Sequence, residues 1–174
     1  MAPECAYPQC DMPSVRAMAP TDWPAIHRIY EDGIATGTAT LDTIAPSWIA
    51  WDSAHLDSCR VVAEDEDEVV AWAALTPVTG RCAYGGVAEL SIYVAEDARG
   101  KKLGQKLLDA LVAKSEAEGF WTLQAQIFQE NSVSIHIHEA AGFRVVGVRE
   151  RIGEVNGKWH DVVLMERRSQ TVGV

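Results

Sequence analysis

The chain is poor in cysteine and in metal-ligand patterns. Its four cysteines, Cys5, Cys10, Cys59 and Cys82, form no Cys-x-x-Cys pair, and its histidines form no cluster at metal-ligand spacing, so we expect no metal site. A disulfide between Cys5 and Cys10 stays open as an alternative. A reducing cytoplasm keeps cysteines as free thiols, and we predict that these cysteines are free thiols.

The chain also lacks long apolar runs and is short of positive charge. No run approaches the ~20 residues that cross a bilayer, and residues 1–14 have neither the basic nor the apolar region of a signal peptide. Lysine and arginine number 15 against 25 acidic residues, a formal net charge of −10. Nucleic-acid backbones and anionic membranes both attract positive fields. We therefore expect a cytoplasmic protein that binds neither nucleic acid nor membrane.

The length and the apolar content predict one domain with a real core. The chain has 174 residues, of which 48% are hydrophobic. Residues 1–13 are rich in proline, cysteine and acids and predict a loose N-terminal extension. Residues 14–174 are expected to form the single domain.

Periodicity and turn residues predict an α/β protein with a largely antiparallel central sheet. The acidic run at 64–68 is expected to be a solvated hairpin turn. The order is not the regular strand–helix alternation of a dinucleotide-binding fold. Predicted strands lie at 14–17, 60–63, 69–75, 87–94, 122–128, 143–151 and 158–166, the last two joined by a turn at 153–157, and predicted helices lie at 22–34, 46–57, 99–118 (turn plus helix) and 131–141.

The most informative segment is the strand-to-helix corner at 93–104. It leads from an apolar strand through a basic, glycine-containing turn into an amphipathic helix. The first N–H groups of such a helix are unpaired, and together with the helix dipole they form a site for phosphate or pyrophosphate. Lys101 and Lys102 add positive charge there. The segment predicts binding of a phosphorylated cofactor.

These motifs resemble the GNAT superfamily of acyl-CoA-dependent N-acetyltransferases. The cofactor motif of that family, Gln/Arg-x-x-Gly-x-Gly/Ala, reads here Arg99-Gly100-Lys101-Lys102-Leu103-Gly104. Lys102 replaces the usual glycine, which is tolerable if its backbone is helical and harmful if φ must be positive. We expect the helical alternative, in which helical N–H groups and added charge hold the phosphates.

Two further segments make the resemblance specific, and it runs from about residue 15 to residue 168. The helix Asn131-x-x-Ser134-x-x-x-His138, which ends in Gly142-Phe143, resembles the family helix beside the pantetheine arm. The segments at 81–94 and 157–162 resemble those of phosphinothricin acetyltransferases and their relatives. This resemblance implies a mostly antiparallel sheet of about seven strands flanked by about four helices, with the fourth strand splayed from the next.

The resemblance also implies acetyl-CoA as cosubstrate and direct transfer to an amine in a ternary complex. Glu89 is then the general base, and a backbone N–H near Tyr93 or Val94 holds the developing oxyanion. His138 occupies the position of the family's proton donor to the thiolate; a helix histidine packed on the core is the alternative. The cofactor-binding residues carried over are Ile92, Tyr93, Val94, Arg99, Gly100, Lys101, Lys102, Leu103, Gly104, Gln105 and Asn131, of which Asn131 is also expected to be a helix N-cap.

The branch implied is one that acetylates the α-amine of phosphinothricin, methionine sulfoximine and similar amino-acid analogues. Arg81 is the candidate to grip an anionic head group, because a guanidinium binds such groups bidentately. Tyr84 and His160 are further candidates, and the loop carrying Thr38 and Leu41 is expected to wall the side-chain pocket. A homodimer is expected by analogy. A protein or peptide N-acetyltransferase and a non-catalytic acyl-CoA-binding module are the alternatives.

Overall fold

The computed structural model describes residues 13–174. Cys5 and Cys10, between which a disulfide was the alternative to free thiols, lie outside the described residues. Nearly all of the predicted extension at 1–13 lies outside them too. The elements, in chain order, are β1 (Ser14–Ala17), α1 (Trp23–Ala35), α2 (Trp48–Ala54), β2 (Arg60–Asp65), β3 (Glu68–Pro77), β4 (Val87–Val94), α3 (Leu103–Ala117), β5 (Thr122–Phe128), α4 (Ser132–Ala140), β6 (Arg144–Val155) and β7 (Lys158–Arg168).

The described residues form one seven-stranded sheet in the order β1-β2-β3-β4-β5-β7-β6. Neighbouring strands are antiparallel except for β4 and β5, which are parallel and are joined by the crossover helix α3. The predicted α/β class, the mostly antiparallel sheet and the element order are confirmed.

Helices cover both faces of the sheet around β4. Gly33 of α1 lies against the ring of Tyr93, whereas Gly104 of α3 lies near Val94. Because successive strand residues point to opposite faces, α1 and α3 pack on opposite sides. The buried stripe of α3 includes Leu103, Leu107, Leu108 and Leu111, and each buried leucine contributes about 1.5–3 kcal/mol relative to exposure.

Several predicted boundaries differ from the structure, and two of the differences have a local reason. Helix α2 begins at Trp48, because Ser47 is its N-cap and accepts a hydrogen bond from Ala50 N at 3.4 Å. The last hairpin turns at Asn156-Gly157 rather than over 153–157, so β6 runs on to Val155. Asn156 and Gly157 both have positive φ, 52° and 77°, which is what a two-residue hairpin turn of this hand requires.

The acidic run does form a hairpin turn, as predicted. Glu66 and Asp67 occupy the positions between β2 and β3, with φ of 52° and 64°.

Among residues 13–174, no helix combines the length and the apolar character needed to cross a bilayer.

Candidate active site

Strands β4 and β5 separate halfway along their length. They pair at Val87↔Thr122, Ala88↔Leu123 and Glu89↔Gln124, and the pairing then stops although both strands continue. The gap frees backbone groups on both strands, in agreement with the splay that the resemblance implies. A cavity of about 250 Å³ occupies it, lined by Tyr30, Ala39, Thr40, Leu41, Asp42, Glu89, Leu90, Ser91, Ile92, Tyr93, Ala125, Gln126, Ile127, Phe128, Asn131, Ser134, His138 and Val162.

Glu89 lies at the point where the strands part, and it is half-buried. Its Oε2 accepts a hydrogen bond of 2.7 Å from Gln126 Nε2, and Gln126 Oε1 accepts one of 2.7 Å from Arg149 Nη1. Gln126 and Arg149 are absent from the sequence-predicted site. They lie on β5 and β6, far from Glu89 in sequence, and no local motif marks them.

His138 is buried in α4 and neutral. Its Nδ1 lies 2.7 Å from the carbonyl oxygen of Ser134, one turn earlier. A carbonyl only accepts, so Nδ1 carries the proton and Nε2 presents a lone pair. Burial lowers the pKa of His138 below its ordinary value. Its Nε2 is buried and has no partner among the described residues, so His138 is poised to accept a proton or a hydrogen bond.

Asn131 begins α4 as predicted. Its Oδ1 accepts a hydrogen bond of 3.1 Å from Ser134 N, which is the expected N-cap. Both residues also line the cavity. The cap fixes the first turn of α4 against the gap, so capping and contact with a ligand are compatible.

The opposite wall is built from two tyrosines and the loop after α1. The Tyr30 hydroxyl donates to the Asp42 carboxylate, which also accepts from Thr40 Oγ1 at 3.2 Å. Burial raises the pKa of Tyr93 to about 12, so its hydroxyl stays protonated near neutral pH. Gly33 permits this arrangement, because a Cβ there would lie 2.8 Å from Tyr93 Cδ1. Neither Tyr30 nor Asp42 stood out in the sequence.

The corner before α3 has a left-handed backbone, and the expectation of a helical Lys102 is wrong. Lys102 is the N-cap of α3 with φ 60° and ψ 19°, a conformation that glycine adopts without strain. Gly100 also has positive φ, 81°. The left-handed conformation at position 102 explains why the family motif usually has glycine there. The lysine adopts the same conformation at a cost of roughly 1–2 kcal/mol.

The start of α3 has the free backbone N–H groups that the predicted anion site requires. Its first intrahelical bond runs from Lys106 N to Lys102 O at 3.2 Å, so the preceding N–H groups have no partner inside the helix. Gly104 allows α3 to approach α4, because a Cβ there would lie 3.2 Å from Ile137 Cδ1. Arg99, Gly100, Lys101 and Lys102 are exposed around this corner.

The predicted substrate residues are dispersed. Leu41 lines the cavity, whereas Thr38 does not. Arg81 and Tyr84 are exposed on the segment between β3 and β4, outside the cavity. His160 is buried behind it, stacked on Phe128 at 4.4 Å between ring centroids, with Nδ1 3.1 Å from the Glu130 carboxylate. Within residues 13–174 no lysine or arginine lines the cavity, and no cluster of potential metal ligands occurs.

Known proteins share this architecture. The model of the acetyltransferase (GNAT) family matches residues 15–143. The phosphinothricin N-acetyltransferase of Alcaligenes faecalis is 33% identical over 88% of this chain and 81% of its own length. The L-methionine sulfoximine/L-methionine sulfone acetyltransferase of Pseudomonas aeruginosa is 32% identical over 88% of this chain and 92% of its own. The phosphinothricin acetyltransferase of Sinorhizobium meliloti, solved in complex with AcCoA, superposes with a TM-score of 0.84 at 30% identity, covering 93% of this chain and 91% of that one.

Proposed function

The chain belongs to the acetyltransferase (GNAT) family and is an acetyl-CoA-dependent N-acetyltransferase; from that premise we propose that it acetylates the α-amine of a small amino-acid analogue. The phosphinothricin, arsinothricin and methionine sulfoximine or sulfone types form the candidate class. The observation that carries the proposal is the cavity between the separated strands, with the Glu89 carboxylate where they part. Relatives named for such substrates support it.

Glu89 is the proposed general base. An α-ammonium group is mostly protonated at neutral pH and attacks only after it loses a proton, which the Glu89 carboxylate accepts directly or through one water. Acetyl-CoA, when bound, supplies the activated acetyl group. The amine nitrogen then forms a bond to the acetyl carbon, and the carbon–sulfur bond breaks.

Backbone N–H groups and His138 complete the proposed chemistry. The N–H groups of β4 near Tyr93 and Val94 lie in the segment that is unpaired with β5, and one of them donates to the developing oxyanion. The departing thiolate takes up one proton. The nitrogen loses a second proton as the amide forms; His138 Nε2 accepts this proton and then donates it to the thiolate.

The transfer is proposed to be direct, without an acetyl-cysteine intermediate. No cysteine lines the cavity in the described part of the chain. Cys59 is buried in the core, where burial raises the pKa of its thiol, and Cys82 is exposed outside the cavity. A nucleophilic thiol needs the reverse, a lowered pKa beside the reacting atoms.

The cofactor site is proposed to run from the gap to the start of α3. Ile92, Tyr93 and Asn131 lie in the cavity wall beside the acyl and pantetheine end. The backbone N–H groups at the beginning of α3 meet the pyrophosphate. Residues proposed for the whole site are Ile92, Tyr93, Val94, Arg99, Gly100, Lys101, Lys102, Leu103, Gly104, Gln105 and Asn131.

The amino-acid end is proposed to be held at the rim of the cavity. Within residues 13–174 the cavity wall includes Asp42 and Glu89 but no lysine or arginine. The ammonium group therefore enters the cavity and the anionic head stays at its mouth. Arg81 and Tyr84 are exposed and are proposed to receive that head, and Leu41 contacts the side chain.

We also propose that two copies of the chain associate through β6. This strand lies at the edge of the sheet and exposes Val145, Val146, Val148 and Ile152. An exposed apolar edge strand is a surface that proteins normally cover. Sedimentation should give a dimer.

A cytoplasmic location is likewise proposed, in keeping with the free thiols of Cys59 and Cys82.

A turnover screen tests the proposed substrate class. Thiol release from acetyl-CoA should be measured with phosphinothricin, arsinothricin, methionine sulfoximine, methionine sulfone, ordinary amino acids and a short peptide with a free N-terminus. The proposal predicts that an analogue with an anionic or highly polar head has the highest kcat/KM. The highest kcat/KM for the peptide would favour a peptide N-acetyltransferase and overturn the proposal.

A further inference from the structure

Three side chains from three strands form one hydrogen-bonded chain that ends on Glu89. Arg149 of β6 donates to Gln126 of β5, and Gln126 donates to Glu89 of β4, each at 2.7 Å. Strand β7 lies between β6 and β5, so the Arg149 side chain crosses a whole strand to reach Gln126.

The hydrogen bonds from Arg149 to Gln126 to Glu89 can run in only one direction that satisfies every donor and acceptor. A guanidinium only donates, so Arg149 must meet the oxygen of the Gln126 amide. The NH₂ end of that amide then faces Glu89, and an ionised carboxylate only accepts. Arg149 thereby prevents the amide from turning its oxygen towards Glu89, where two acceptors would repel each other.

The backbone of β6 is irregular directly after Arg149. The register with β7 shifts between Arg149 and Gly153, which marks a β-bulge. Arg151 within it has φ 47°, and its N–H donates to Asp161 Oδ1 at 2.8 Å. Bulges bend a strand and redirect its side chains, and they are frequent beside active sites.

The same bulge contributes to the cavity wall. Leu41 packs directly on Gly153, where a Cβ would lie 2.6 Å from Leu41 Cδ2. One irregularity therefore lies between Arg149, which donates to Gln126, and Gly153, on which Leu41 of the cavity wall packs. The network and the wall are parts of one local construction.

We propose that Gln126 and Arg149 are positioning residues for the catalytic carboxylate of Glu89. Gln126 donates a hydrogen bond to Oε2 of Glu89, so Oε1 is the oxygen that accepts the ammonium proton. Arg149 fixes the Gln126 amide and acts only through it. This inference rests on the proposed function, because it assumes that Glu89 is the base. Both residues belong to the proton-transfer step and not to cofactor binding.

The test is a double-mutant cycle read out as kcat at saturating acetyl-CoA. Gln126→Leu should lower kcat roughly tenfold, because a misplaced base loses its geometry, with the KM for acetyl-CoA unchanged within about twofold. Gln126→Glu should lower kcat at least as much, since it keeps the size and the Arg149 contact but cannot donate to Glu89. Arg149→Ala should lower kcat severalfold, and Arg149→Lys should restore part of it.

Repeating the substitutions in the Gln126→Leu and Glu89→Gln proteins separates an effect on the position of Glu89 from an effect on folding. Arg149→Ala should have no further effect in the Gln126→Leu protein, and neither change should matter in the Glu89→Gln protein. Arg144→Ala is the matched control, because it removes an exposed arginine of β6 whose hydrogen bond of 2.7 Å goes to Glu166 and not to Gln126 or Glu89; it should leave kcat unchanged.

Each outcome has a distinct meaning. Additive effects of the Gln126 and Arg149 changes, or losses that persist in the Glu89→Gln background, would overturn the positioning role. A large loss in Glu89→Gln with no loss in Gln126→Leu would overturn this inference and leave the proposed function standing. An undiminished kcat in Glu89→Gln would overturn the proposed role of Glu89 as the base, whereas the turnover screen decides on the proposed substrate class.

Discussion

The Lys101 ammonium lies 2.7 Å from the Asp65 carboxylate, so the β2–β3 hairpin binds one of the two lysines at the start of α3. The pair is a surface contact, with Lys101 half-exposed, and such pairs are weak. The phosphate site thus has a competing carboxylate beside it. The acidic hairpin, which the sequence presents only as a solvated turn, reduces the positive field there.

Removing this carboxylate should strengthen cofactor binding. Asp65→Asn frees Lys101 for phosphate and should lower the Kd for acetyl-CoA about two- to threefold at low salt, measured by calorimetry. Asp67→Asn is the control, because it removes the same charge from the hairpin tip without touching Lys101. Equal effects of the two changes would mean that the ion pair is irrelevant to binding.

The left-handed backbone at Lys102 predicts an unusual ranking of stability. Lys102→Gly should exceed Lys102→Ala in the free energy of unfolding by about 1 kcal/mol, since glycine adopts positive φ without strain. Urea denaturation measures this difference. At Lys106, inside α3, the order should reverse, with glycine about 1 kcal/mol below alanine. The same order at both positions would contradict the left-handed turn.

His138 should make the fold sensitive to acid. Burial lowers its pKa in the folded protein, so below the ordinary pKa of about 6.5 the unfolded chain binds a proton that the folded chain does not. Stability is therefore full above that pH and falls as the pH drops below it, by at most about 1.4 kcal/mol per pH unit. His138→Gln should flatten the dependence of the free energy of unfolding on pH between about 6.5 and 5. His55, whose pKa burial also lowers, will leave some residual slope. An unchanged slope would refute the buried neutral state of His138.

The contact between Gly153 and Leu41 predicts a rescue. Gly153→Ala would place a Cβ 2.6 Å from Leu41 Cδ2 and push that side chain into the cavity. We expect the KM for the amino substrate to rise roughly three- to tenfold, as overpacking shifts neighbouring side chains. Adding Leu41→Ala should relieve the clash and recover most of the loss. Failure of the second change to rescue the first would place the effect elsewhere.

The sequence predicts local features of this protein well and cross-strand features poorly. Periodicity and capping residues are local signals, so the order of strands and helices, the N-cap at Asn131 and the place of Glu89 in β4 were all predictable. The hydrogen bonds from Arg149 to Gln126 to Glu89 join three strands, and only the register of the sheet brings them together. The left-handed φ of Lys102 was one of the two conformations that the replaced glycine left open, and the lysine itself gives no local sign that decides between them.

Arg81 and His160 show what the position of a residue in a motif fixes and what it does not. Both lie in segments that match the resembled branch, yet neither lines the cavity, and His160 is engaged by Glu130 and Phe128. Position in a motif fixes the place on a strand or loop. Side-chain partners decide which group reaches the cavity, and those partners come from distant segments.

The rate of product formation by Glu89→Gln tests the central claim most directly. The N-acetylated analogue should be quantified by mass spectrometry at neutral pH and saturating acetyl-CoA, with cofactor binding checked by calorimetry. The glutamine keeps the shape of the side chain but cannot accept the ammonium proton, so kcat should fall about 10²–10⁴-fold while the Kd for acetyl-CoA stays within about twofold of the unmodified protein. A kcat equal to that of the unmodified protein would contradict the account.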